Sequence, residues 1–355
     1  LNIKTKIMNT KIVSFGEILL RLSKPDYQRL TQGHRMLGNY GGSEANTAIS
    51  LACLGNNVEY VTRLPYSAMG EAALMHLREY GLNVNHVVRG GERLGTYYFE
   101  EAVAMRNSHV IYDRKNSAMY SLKRGMVEWD KVLADAGMFH CSGITCAISR
   151  DSMESTMDAL KLAEEKGLTI VCDINYRKNL WGYGMEPHDV IFNMMQYSDI
   201  VFGDQNEWEV ASGVPHIPFV ATDDKCELDK DAYQEYFQKM HKLFPKCKKM
   251  IMALRNQLAS SHHVLTGVLY DAVEGKLYTT KMYDIQPVVD PMGVGDAFVA
   301  GYIHAHQKWG DDNQYCLNFA LSASALKNTI PGDQNLVSEE EVISNLTSSG
   351  GRIQR

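Results

Sequence analysis

The sequence predicts an α/β protein in which a central, mostly parallel sheet is flanked by helices on both faces and carries a small β-sheet lid. Three observations predict it. Short β-branched runs alternate with amphipathic stretches of helical period along most of the 355 residues, the rhythm of parallel strands joined by crossover helices. The rhythm breaks at 17–40 and 93–122, where no long amphipathic helix fits and two runs read as paired strands. Near the C-terminus the strand-like run IQPVVD (285–290) leads through a glycine turn into a helical pattern that continues to about residue 308.

In chain order, KIVSF (11–15) reads as a strand, 44–54 as a helix, VEYVT (58–62) as a strand and 69–80 as a helix. The alternation resumes after residue 137 with GMFHCSG, the helical 151–166, TIVCDI (169–174), 187–197, SDIVFG (198–203), 230–244 and KMIMAL (249–254). Strands this uniformly apolar are buried on both faces, as in parallel sheets. Between them, GTYYFEEAVA and SHVIYDR pair as strands of the lid. In α/β folds, loops beyond the C-terminal strand ends close over the site and exclude water, so the lid is expected to help define the substrate pocket. The polar 214–230 reads as a surface insertion. We expect one domain over 8–348, with both lid segments inside it.

Composition narrows the function. An apolar fraction of 45%, a charged fraction of 22% and 28 glycines are ordinary globular usage, which disfavours disorder, collagen and coiled coil. A net charge of -6 with no Lys/Arg block gives no electrostatic reason for nucleic acid or an anionic membrane. Small molecules are the expected partners. Seven cysteines form no Cys-x-x-Cys pair and leave one over in any full disulfide scheme, which fits a reducing cytosol. Cys141, Cys146 and Cys172 read as small buried hydrophobes, not metal ligands. The opening LNIKTKIM is too short and charged for a signal peptide, with Met8 a candidate natural start, and no window approaches the ~18 apolar residues of a membrane span. A cytoplasmic location is expected.

The sharpest chemical signal is Asp290-Pro-Met-Gly-Val-Gly-Asp296-Ala-Phe298. Gly293 and Gly295 let the backbone approach a phosphate closely, and the amides of Gly293, Val294 and Gly295 point at it from the positive end of the helix dipole. Asp296 then lies beside the transferred group, where a carboxylate can take the proton of an attacking hydroxyl, an effect of about 10²–10⁴ in rate. The competing reading makes Asp296 a helix N-cap and the glycines a tight turn. No G-x-x-x-x-G-K-[ST] occurs, and Phe298 stands where a dinucleotide fingerprint has its third glycine. A P-loop NTPase and a standard Rossmann dehydrogenase both lose ground.

Gly-Val-Gly-Asp296 resembles the G-A-G-D signature of the ribokinase-like (PfkB) carbohydrate kinases. Gly16-Glu17 followed by Gly41-Gly42-Ser43-Glu44-Ala45-Asn46 resembles the family's other signature, a glycine pair and an Asn opening a helix. The resemblance spans about 11–335 and implies a ribokinase-like fold that uses ATP and Mg²⁺. Within the family the likeness is to 2-keto-3-deoxygluconate kinases. Arg93-Leu-Gly-Thr-Tyr97 is similar to a lid strand that gives a substrate-contacting Tyr, and Ile111-Tyr112-Asp-Arg114-Lys-Asn-Ser-Ala to the stretch Tyr-x-Arg before Lys-x-Ser-Ala. Asp173-Ile-Asn175-Tyr-Arg177 resembles D-x-N-x-R, whose Arg contacts substrate. A 2-oxo acid offers a carboxylate and a carbonyl that Arg114 and Arg177 can bind through charge-assisted bonds. Gly41, Gly42, Asn46, Tyr97, Tyr112, Arg114, Arg177 and Asp296 are therefore the expected substrate-site residues.

On the nucleotide side, Gly203-Asp204-Gln-Asn-Glu207 aligns with the family's N-x-x-E, which helps organise Mg²⁺ and phosphates, with Asp204 in place of the Asn. Glu207 is the expected indirect metal residue, and a carboxylate at 204 can hold hydrated Mg²⁺ through water. The glycine-rich nucleotide loop is replaced at 252–257, where Arg255 is expected to approach ATP phosphates, and 327–333 resembles a loop beside the adenine pocket. The resemblance implies phosphorylation of the terminal hydroxyl of 2-dehydro-3-deoxy-D-gluconate. A kinase of the same fold for fructose or another keto acid, a sugar-acid-binding relative without phosphoryl transfer, and a more distant NAD-dependent enzyme are the alternatives. Lid strands with free edges suggest a dimer formed through the lid.

Overall fold

The computed structural model describes residues 10–219, 221–222, 225–226, 228–310 and 312–347. The expected start at Met8 and the domain limits at 8 and 348 lie outside the described residues. The chain opens with β1 (Lys11–Phe15), β2 (Leu19–Ser23), β3 (Leu37–Gly41), α1 (Ser43–Cys53), β4 (Val58–Val61), β5 (Arg63–Leu64), α2 (Ala68–Glu79), β6 (Val88–Arg89), β7 (Thr96–Glu100) and β8 (His109–Asp113). It continues through α3 (Trp129–Val132), β9 (Ala136–Ser142), α4 (Gly143–Ile148), α5 (Arg150–Glu165), β10 (Thr169–Asp173), α6 (Pro187–Gln196), β11 (Ile200–Phe202), α7 (Gln205–Ser212), β12 (Ala221–Thr222), β13 (Lys225–Cys226) and α8 (Lys230–Leu243). The last third is β14 (Lys249–Ala259), β15 (His262–Asp271), β16 (Lys276–Thr279), β17 (Tyr283–Ile285), α9 (Val294–Trp309), α10 (Asn313–Lys327) and α11 (Glu339–Thr347).

The central sheet has the order β16-β15-β14-β11-β10-β9-β1-β4, with β17 paired to β15. It is parallel from β14 to β4 and turns antiparallel at β15 and β16. Because side chains alternate across a strand, its apolar runs feed two cores. Ile12, Met138, Val171, Ile200 and Ile251 face one that also holds Phe298, Tyr302 and Phe319 of α9 and α10. Val13, Phe139, Ile170, Val201 and Met250 face the other, with Leu160, Met194 and Phe237 of α5, α6 and α8. Cys141, Cys146 and Cys172 are buried in this second core. The expected α/β fold, with helices on both faces and a separate small sheet, is what the chain forms.

That small sheet has the order β3-β2-β7-β8 and packs Leu19, Tyr97 and Phe99 against Met292 beside the site. Two expectations are corrected. The KMIMAL strand does not stop at 254 to leave a nucleotide loop over 252–257: β14 runs on to Ala259 and pairs Arg255 with Leu265 and Gln257 with His263. The apolar run of β15 keeps the ladder going past the point where the β14 sequence turns polar. Conversely, IQPVVD (285–290) is not a strand beyond Ile285. Pro287 has no amide to give a ladder, and the amides of Val288 and Val289 bond the carbonyls of Ser261 and Asn328. Among the described residues no helix is long and apolar enough to cross a membrane.

Candidate active site

The start of α1, between β3 and β4, and the chain just past the C-terminal end of β10 meet the start of α9, and C-terminal strand ends are the usual place for a site in an open α/β sheet. Gly293 is the N-cap of α9 at φ +77, and the Asp333 carbonyl occupies the space a side chain would need. Glycine is required there on both counts. Beside Gly295 the space a side chain would take is open.

Asp296 lies three residues past that cap, so its carboxylate does not cap the helix. Ser43 Oγ donates to its Oδ1 at 2.8 Å and Asn46 Nδ2 to its Oδ2 at 2.8 Å. Ser43 and Asn46 are three apart in α1, on one face of that helix. Helix α1 starts at Gly42, whose φ of +153 and packing against the Glu17 carbonyl exclude a side chain. Burial pushes the Asp296 carboxyl above its ordinary range, while the bonds from Asn46 and Ser43 favour the charged form. A buried carboxylate fixed at both oxygens is a base of fixed direction.

A second tier supports it. Asn175, just past β10 and at the unusual φ of +39, donates to Ser43 Oγ at 2.6 Å and to Asp173 Oδ2 at 3.1 Å. The line Asp173, Asn175, Ser43, Asp296 is thus hydrogen-bonded throughout. Burial, then Glu207 and Asp296, raise the Asp173 carboxyl.

The expected lid residues are brought to this place in part. Tyr97 and Tyr112 are directly opposed across β7 and β8, with ring centroids 5.9 Å apart. Tyr97 is buried, and its hydroxyl donates to the Asp333 carboxylate. Tyr112 is half-buried. The Arg114 guanidinium lies over its ring, 4.8 Å from the centroid, and 3.5 Å from Glu17 Oε2, leaving Arg114 Nε without a partner among the described residues. Gly41 ends β3 against the Asp333 side chain.

Arg177 is the more available cation. Its side chain is 45% exposed, its Nη1 sits 3.4 Å from Glu207 Oε1, and Tyr112, Asp173 and Asp296 are its electrostatic neighbours. Asp204 is the N-cap of α7: its Oδ1 accepts the Glu207 amide at 2.8 Å while Glu207 Oε2 accepts the Asp204 amide at 2.8 Å. Asp and Asn cap helices about equally well, which accounts for the exchange at 204 without loss of the turn. Arg255, on β14, lies within electrostatic range of Asp204 and Arg177.

This corner carries an excess of acid. Burial, then Asp204, push Glu207 up to about 7, and Asp173 rises with it. Among the described residues no three carboxylate, His or Cys side chains are grouped to cage a metal ion, but Mg²⁺ takes one or two carboxylates together with substrate phosphates and not a full protein cage, which Asp204 and Glu207 could supply. The residues present therefore fit a metal–nucleotide complex.

Sequence reasoning missed Ser43 and left Asn175 as a motif letter. The i, i+3 spacing of Ser43 and Asn46 at a helix start was the available signal. A separate cleft of about 300 Å³, lined by Thr169, Asp199, Lys249, Asp271 and His306 among others, lies at the opposite ends of β10, β11 and β14 and takes no part in this site.

Comparison with known proteins points to the same fold. The model of the pfkB family carbohydrate kinases matches residues 9–340. The crystal structure of a 2-dehydro-3-deoxygluconokinase from Thermotoga maritima superposes with a TM-score of 0.87 at 34% identity, covering 96% of this chain and 99% of that one. A 2-dehydro-3-deoxygalactonokinase from Haloferax volcanii is 29% identical over 94% of this chain and 96% of its own length. A 2-dehydro-3-deoxygluconokinase from Bacillus subtilis is 24% identical over 96% and 97%. With its ribokinase-like sheet, small lid and buried aspartate at a glycine-capped helix, this chain belongs to the pfkB family of carbohydrate kinases.

Proposed function

We propose that this kinase transfers the γ-phosphoryl group of ATP to the terminal hydroxyl of 2-dehydro-3-deoxy-D-gluconate, giving the 6-phosphate. The observation that carries the reading is Asp296, held at both oxygens by Ser43 and Asn46 at the open first turn of α9. As the substrate oxygen forms its bond to phosphorus and the bond to ADP breaks, Asp296 takes the hydroxyl proton. The amides of Gly293, Val294 and Gly295 stabilise the charge on the phosphoryl oxygens. Asp204 and Glu207 would hold Mg²⁺, which supplies neutralisation of the phosphate charge. Arg255 meets the nucleotide phosphates from β14.

The sugar-acid reading is supported by the names of the relatives and by two arginines on the substrate side. Arg177 binds the carboxylate end directly. Arg114 acts at shorter reach, since Glu17 already takes part of its charge, and Tyr112 and the Gly41-Gly42 turn complete the wall. Buried Oδ1 atoms of Asn46 and Asn175 have no hydrogen-bond partner among the described residues, a capacity that a polyhydroxylated substrate can use. The reaction belongs to a single kinase domain over 8–348 acting in the cytoplasm, with the 17–40 and 93–122 segments closing over the sugar. Two copies pair through their lids; a single monomeric boundary in sedimentation would remove that part. The kinase reading is tested by ADP release with Mg-ATP and the keto acid, and turnover of fructose in place of the acid would assign a different substrate to the same fold.

A further inference from the structure

Arg21 is a lid residue on β2, yet it is 1% exposed and reaches out of the lid into the phosphate turn. Its Nη1 lies 2.8 Å from Asp290 Oδ2 and 2.8 Å from Asp333 Oδ1, and its guanidinium stacks 4.3 Å from the centroid of Phe99. Nη2 faces Glu101 at 3.9 Å. Both carboxylates are themselves organisers. Asp290 Oδ1 accepts the Met292 amide at 3.0 Å, and its Oδ2 accepts the Gly332 amide at 3.0 Å. Asp333 accepts Tyr97 on its other oxygen, and its carbonyl packs on Gly293. From behind, the buried ammonium of Lys327 donates to the carbonyls of Asp290 and Ile330 at 3.3 Å and 2.9 Å. Two cations and two acids thus close a compact cluster between lid, anion turn and the 330–333 loop.

We propose that Arg21 is a positioning residue that ties the lid to the phosphate turn, through Asp290 and Asp333, so that the turn carrying Asp296 is held in register with the lid. Arg21 and Tyr97 are register partners on β2 and β7, so two adjacent lid strands grip Asp333 at one level. The hydrogen bond from Met292 to Asp290 holds the turn that ends at Gly293, and Gly293 sets the direction of the amides and of Asp296. Both carboxylates meet the one Nη1 while the planar guanidinium stacks on Phe99 and turns Nη2 toward Glu101, a combination of stacking and fixed donor directions that an ammonium does not offer. The cluster touches no reacting atom. It acts through the turn, and a displacement there of about 1 Å is worth about a hundredfold in rate. The inference rests on the α9 turn being the phosphate site.

The test compares wild type with Arg21→Met, Arg21→Lys and Tyr97→Phe, with turnover expressed per folded, ATP-binding molecule and kcat separated from the KM of the keto acid. Arg21→Met is expected to lower kcat about a hundredfold, Arg21→Lys to recover part of that loss, and Tyr97→Phe to lower kcat about tenfold with KM for the acid unchanged. Should Arg21→Met fail to fold, the other two variants carry the test. Wild-type kcat per folded molecule in Arg21→Lys and Tyr97→Phe, with only Tm lowered, overturns the proposal. So does a Tyr97→Phe effect confined to KM, which would make Tyr97 a substrate ligand. Asp296→Asn is run beside them: retained turnover there removes the phosphate-site reading itself, independently of what Arg21 does.

Discussion

Replacing Ser43 by alanine removes one of the two side-chain bonds that favour ionised Asp296, at 2.8 Å to Oδ1, and strips Asn175 Nδ2 of its 2.6 Å partner. A hydrogen bond to a charged group contributes about 1.5–3 kcal/mol. The carboxylate form of Asp296 loses that amount relative to the acid form, which corresponds to a rise of about one to two pH units in its ionisation, at about 1.4 kcal/mol per unit. The sign follows from the chemistry. The base works ionised, so rate falls on the acid side as Asp296 takes up a proton, and a raised value moves that fall to higher pH. Burial has already moved Asp296 upward in the wild type, so the acid limb of the variant sits higher still. The assay is the pH profile of kcat/KM for the sugar with ATP saturating. A Ser43→Ala profile that keeps its acid limb in place, with the rate lowered equally at all pH values, refutes the view that Ser43 tunes the base.

Arg177→Met is expected to raise KM for the keto acid by about a hundredfold, the loss of a charge-assisted bidentate contact of about 3 kcal/mol, while the poor turnover of a neutral sugar changes little; steady-state kinetics with both acceptors checks it. Gly293→Ala places a side chain at φ +77 and into the Asp333 carbonyl, so both Tm and kcat should fall, with the KM for ATP rising as the turn distorts. Thermal melts and nucleotide titrations on the same preparation read this out.

Much of the fold was legible because buried parallel strands write themselves as apolar runs and their crossover helices carry a clear period. The 151–166 stretch, for example, becomes α5 with its Ser149 capping box. Legibility failed where long-range pairing decides the outcome. Nothing local extends the KMIMAL strand (249–254) through the polar residues 255–257; the partner β15 does. Pro287 likewise ended the strand that two valines suggested. At the site, the glycine turn that opens α9 before Asp296 was readable because its signal is local. The role of Ser43 depends on α1 packing against α9, about 250 residues away in sequence. The Tyr97 hydroxyl donates to Asp333, a residue that sequence reading treated as part of a loop near the nucleotide. Arg21 stands in an ordinary strand pattern, LLRLS, and only its burial against two carboxylates shows what it does.

Asp296 is proposed as the base for phosphoryl transfer to a sugar acid. The most direct test is ADP release by wild type and Asp296→Asn with Mg-ATP, offering 2-dehydro-3-deoxy-D-gluconate and fructose in parallel, with binding of the acid measured on both proteins. With Asp296 as the base, wild type turns over the acid, the variant loses about 10²–10⁴ in kcat, and both proteins bind the acid. Near-normal turnover by Asp296→Asn would show that another group takes the proton.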